Sequence, residues 1–136
     1  MKNIIIFPLL LFVFNVWGQT KPVKIVFDVT SKDEAVHKTA IRHVQLMSAA
    51  YPDSEFEVVV YGDALSMVLK NNSSVSEDII KLEGQKNVSI LVCEGSMKRH
   101  GVDMSQLLPA VGTTPDGILE IVNKQSEGWG YIKEVK

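Results

Sequence analysis

Apolar and polar positions change rhythm several times along the chain. Lys2 is followed by an almost unbroken apolar run from Ile4 to Phe14, which gives way to Asn15-Val16-Trp17-Gly18. A charged start, a short apolar centre and small residues at −3 and −1 mark a secretory signal peptide. Val16 and Gly18 take those two positions, so cleavage is expected after Gly18, with residues 1–18 as signal and 19–136 as one mature domain. The run is short against the ~20 residues of a spanning helix, and no membrane association is expected once it is removed.

Beyond it the rhythm alternates between that of strands and that of helices. Val23–Val29 is apolar at every odd position, with Val26 on the opposite face, as a largely buried strand requires. Ser31 and Glu34 form a capping box, and a helix to about Tyr51 follows, with Val36, Ala40, Val44, Met47 and Ala50 as its apolar face. Phe56–Tyr61 reads as a second strand, and Gly62-Asp63 turns the chain into a short helix, Ala64–Leu69. Ser74 and Glu77 form another capping box, opening a helix closed by Gly84. Val88–Cys93 is the third strand, and a short helix from Ser96 to His100 ends at Gly101. A short fourth strand is expected between Leu107 and Thr114. Thr114 as cap and Pro115 at the first helical position then start a helix to about Lys124, before a last strand, Gly128–Lys133. Strands alternating with helices predict an α/β fold around a mainly parallel sheet of about five strands.

Composition narrows the function. The full chain has 46% hydrophobic and 22% charged residues and a net charge of -2, ordinary for a globular protein. Removing residues 1–18 takes one Lys and no acid, leaving an acidic domain without the basic footprint that nucleic acid would require. A single cysteine excludes an intramolecular disulfide and a Cys-rich zinc site. The signal places the mature chain in an oxidising, periplasmic setting, where a lone thiol stands out.

Candidate chemistry gathers at the carboxyl ends of parallel strands. The loop after the first strand lacks the glycines of a dinucleotide site, and no phosphate-binding G-x-x-x-x-G-K-[ST] occurs, so no cofactor is expected. No paired-histidine spacing supports a metal. His43 falls on the apolar face of the first helix and His37 toward solvent. Asp28, Asp63 and Asp103 fall near strand ends, with a turn role explaining Asp63. Trp129 and Tyr131 share one face of the last strand and suit a subunit interface if it is an edge. Cys93 ends a strand and precedes a helix, where free N–H groups stabilise a thiolate. Lys98, Arg99 and His100 add positive charge, while Glu94 is expected to raise the thiol pKa. A small buried hydrophobe is the other reading of the same position.

The stretch Cys93-Glu94-Gly95-Ser96-Met97-Lys98-Arg99-His100-Gly101-Val102 resembles the cysteine loop of the DsrE/DsrF-like family. Val58–Gly62, Leu107-Leu108-Pro109, and Gly117–Val122 with Gln125–Ile132 agree in order and spacing, over about residues 22 to 134. The resemblance implies a three-layer α/β/α sandwich, homo-oligomers (trimers or hexamers), and sulfur relay through a cysteine persulfide. It implies that Cys93 carries the sulfur, that Gly95, Ser96 and Met97 supply backbone donors, and that Arg99 or His100 supplies positive charge. With one cysteine, a sulfur donor or acceptor protein would complete any cycle. The alternative is a non-catalytic oligomeric binding module with Cys93 buried and inert.

Overall fold

Five parallel strands lie in the order β4-β3-β2-β1-β5 in the computed structural model, which describes residues 21–136. The proposed signal peptide lies outside the described residues. The strands are β1 (Lys24–Val29), β2 (Glu55–Val60), β3 (Val88–Cys93), β4 (Gly112–Thr114) and β5 (Gly130–Lys133). Between them run α1 (Glu34–Ala50), α2 (Ser76–Lys81), α3 (Glu94–His100) and α4 (Gly117–Ser126), with 3₁₀ turns at Gly62–Val68 and Met104–Gln106.

The connections explain the layers. From β1 to β4 each strand is added on the same side of the last, and right-handed crossovers of that kind keep their helices on one face. The step from β4 to β5 crosses back over the sheet, so α4 falls on the other. Phe27, Val29, Val58, Val60, Ile90 and Val92 meet α1, α2 and α3 in the main core. On the opposite face Val26 and Val59 meet Ile121 of α4 in a much smaller cluster, flanked by Tyr61 and Trp129. This is the three-layer α/β/α sandwich expected.

Helix starts differ from the sequence expectation at four places: α3 begins at Glu94, directly after β3, rather than at Ser96, and the other three differ for a local reason. Asp33, rather than Ser31, caps α1, its carboxylate accepting from Ala35 N at 2.9 Å, while the Ser31 hydroxyl serves Asp33 N. Ser74 caps nothing: Ser73 accepts from Val75 N, and α2 is shorter than expected. Thr114 belongs to β4, paired with Cys93, so Asp116 caps α4 by accepting from Ile118 N and Leu119 N.

The buried face of α1 is also rotated. His37, expected toward solvent, is 1% exposed and its Nε2 lies 2.7 Å from Ser31 O. His43, expected on the apolar face, is partly exposed and pairs with the buried Glu134 at 2.8 Å. Ile41 joins Val36, Ala40 and Val44 in the core, whereas Ala50 is exposed. β5 is an edge strand, and Trp129 precedes it and stacks under Lys124, 4.4 Å from the ring centroid.

Candidate functional site

Alternation along the strands gives the α4 side of the sheet an unusual content. Asp28 of β1, Glu57 of β2 and Ser89 of β3 all lie there, with Tyr61 and Cys93 in the row at the carboxyl ends. Glu57 is 4% exposed; it accepts from Ser89 and pairs with Lys124 at 3.0 Å, and burial pushes its carboxyl above the usual range.

Cys93 closes β3 and α3 begins at the next residue, with Gly101 in the left-handed conformation that ends it. Opposite Cys93, in continuation of the β2–β3 register, stands Tyr61. The backbone of Gly117, the first residue of α4, roofs both. A Cβ there would stand 3.1 Å from Cys93 Cβ and 3.3 Å from both Tyr61 Cβ and Val59 Cγ1, closer than a side chain is normally accommodated. Glycine lets the start of α4 press onto the sheet.

Cys93 is 8% exposed. Burial alone would raise its thiol pKa, but the N–H groups of Gly117, Ser96 and Gly95 and the Ser96 hydroxyl outweigh it and hold the thiol below its ordinary value. As a thiol, Cys93 makes no capping bond to α3; these donors are the partners its thiolate acquires. Ser96 is well placed for that role. Its Oγ accepts from Gly62 N at 2.9 Å and from Arg99 Nη2 at 3.4 Å, which frees its own proton for the sulfur.

The other loop residues divide. Arg99 reaches the site through Ser96, whereas His100 sits 3.9 Å from Asp63, and the Met97 side chain is in the main core. Glu94, expected to raise the thiol pKa, is exposed and accepts from the Thr113 hydroxyl at 2.8 Å, and solvent screens its charge. In the sequence Gly117 only heads one of the matching stretches, and nothing there marks it as part of the site. Nor does anything there mark the partner set of Asp28: the Tyr61 and Tyr131 hydroxyls donate to it at 3.3 and 2.6 Å and Lys133 Nζ at 3.0 Å. Asp103 lies elsewhere, capping the 3₁₀ turn through Ser105 N.

Among the described residues, no group of three or more His, Cys, Asp or Glu is placed to hold a metal ion, and no helix is long and apolar enough to cross a membrane.

A model of the DsrE/DsrF-like family matches residues 24–133. No curated protein matches the chain. Among solved structures, a protein of unknown function from Methanobacterium thermoautotrophicum is 30% identical; the match covers 82% of this chain and 98% of that one, with a TM-score of 0.75. The ychN protein of E. coli matches at 13% identity over 84% and 99% of the two chains, with a TM-score of 0.67. A conserved protein of unknown function from Bacteroides thetaiotaomicron matches at 12% identity over 81% and 93%, with a TM-score of 0.62. The last two are likenesses of fold.

Proposed function

The chain belongs to the DsrE/DsrF-like family, and from that premise we propose that it is an exported sulfur carrier working through Cys93. The observation that carries the reading is the set of donors at one sulfur: N–H groups of Gly95, Ser96 and Gly117 and the Ser96 hydroxyl, which together favour the thiolate against burial. The thiolate attacks a sulfane donor, a bond forms between Sγ and the outer sulfur, and the donor's leaving group takes the electron pair. The persulfide is then passed to an acceptor thiol. With one cysteine in the chain, no internal thiol resolves it, and a partner must.

Export is proposed from the charged start, apolar run and small residues of 1–18, with the periplasm as destination. Self-assembly into trimers or hexamers is proposed with it. Exposed Ile118, Leu119 and Val122 on α4, and Tyr131 and Ile132 on the edge strand, are apolar surface of the kind that interfaces cover.

Intact mass after incubation with a sulfane donor tests the carrier reading. Wild-type protein is expected to gain one sulfur, and Cys93→Ala none, with fold and oligomer unchanged. A persulfide retained in Cys93→Ala sinks it. The low exposure of Cys93 favours a second reading, an oligomeric binding module with an inert cysteine; alkylation of Cys93 only on unfolding would select that one.

A further inference from the structure

Cys93 has a polar neighbourhood that the carrier reading does not use. Asp28, 3% exposed, is clamped by the Tyr61 and Tyr131 hydroxyls and by Lys133 Nζ. Lys133 also donates to Thr30 Oγ1 at 2.7 Å. Its ammonium lies over the Tyr61 ring, 5.7 Å from the centroid, and Tyr61 is the residue opposite Cys93 under Gly117. The cluster and the sulfur therefore share one face at the carboxyl ends of the strands. Of the Asp28–Lys133 pair only Asp28 is buried, and its partners offset the cost of burying a carboxylate. Polar groups that converge beside a thiol in this way suit recognition of a ligand.

The arrangement has a direction. Asp28 lies beneath, its charge shared among three donors, while the Lys133 side chain is 38% exposed. Two of the three ammonium N–H groups are engaged, leaving one to face outward. Thr30 Oγ1 accepts from Lys133, so its own O–H is free to donate outward as well. Two fixed donors, one of them cationic, suit the two oxygens of a carboxylate.

We propose that Lys133 and Thr30 form a carboxylate-recognising subsite of the Cys93 site, taking a low-molecular-weight thiol that bears a carboxylate roughly 10 Å from its sulfur, about the two strand spacings from β3 to β1. The proposal rests on the reading of Cys93 as the reacting thiol. The bound thiolate attacks the outer sulfur of the Cys93 persulfide. A new S–S bond forms on the acceptor as the bond to Cys93 Sγ breaks, and Cys93 leaves as a thiolate with that electron pair. No external oxidant or reductant is needed.

Alkylation of the folded protein tests the subsite without any persulfide. The probes are 4-(iodoacetamido)butanoate and its uncharged amide, with rates read by intact mass. Wild type is expected to react with the carboxylate about five-fold faster than with the amide, the upper end of what one half-exposed charge contact supplies. Lys133→Met should bring the two rates together, and Lys133→Arg, which keeps the charge, should retain a preference. Equal rates in wild type overturn the proposal, as does a full preference surviving in Lys133→Met. Failure of sulfane loading with the preference intact would sink the carrier reading and leave the subsite standing.

Discussion

The two faces of the sheet were built from the same three central strands to different ends. One carries Phe27, Val29, Val58, Val60, Ile90 and Val92 under three helices. The other carries Asp28, Glu57, Ser89, Tyr61 and Cys93 beside a small apolar cluster of Val26 and Val59 with Ile121 of α4. Each fully buried apolar side chain contributes about 1.5–3 kcal/mol relative to an exposed one, so the first face accounts for most of the stability. A buried carboxylate costs free energy unless it is paired, and on the second face both Asp28 and Glu57 have cationic partners. The contrast separates holding the chain together from holding a thiol and two carboxylates among hydrogen-bond partners.

Substitutions can break this division. The largest effect on stability is expected on the apolar face: Phe56→Ala, at a site 1% exposed, should cost about 3–5 kcal/mol in urea unfolding. An intermediate effect is expected where the faces' roles meet. Gly117→Ala must push α4 away from Cys93, Tyr61 and Val59, costing about 1–3 kcal/mol and slowing alkylation of Cys93. Unchanged alkylation in that variant would mean that α4 contributes nothing to the thiol. The smallest effect on stability belongs to Ser96→Ala. It removes a hydroxyl that lowers the Cys93 pKa, so the pH midpoint of alkylation should rise toward that of free cysteine. A midpoint unmoved would assign the whole effect to the backbone.

Much of the fold was legible because strand periodicity is strong where the sheet is buried on both sides. β3 falls at Val88–Cys93, as read. Helix starts were less legible, because several hydroxyl and carboxylate residues crowd each one. Docking onto the sheet then selects among them, taking Asp33 over Ser31 and Asp116 over Thr114. The exchange of roles between His37 and His43 has the same origin, since the buried face of α1 is set by how the helix lies on the sheet. Within the site, Cys93 was visible as a strand-end thiol before a helix. Gly117 was not, since 24 positions separate it from Cys93 and only the crossover of α4 brings them together. Asp28 was visible only as a carboxylate near a strand end, because its three partners come from Tyr61, Tyr131 and Lys133.

The roof that Gly117 places over the sulfur has a consequence in time as well as in space. Gly95 and Ser96 follow Cys93 directly, but Gly117 arrives only when the last crossover is laid down and α4 docks. A chain in which α4 has not docked lacks that donor and keeps only those of Gly95 and Ser96. The donor from Gly117 is therefore present only once α4 has docked, and the lowered thiol pKa is in that part a property of the finished domain.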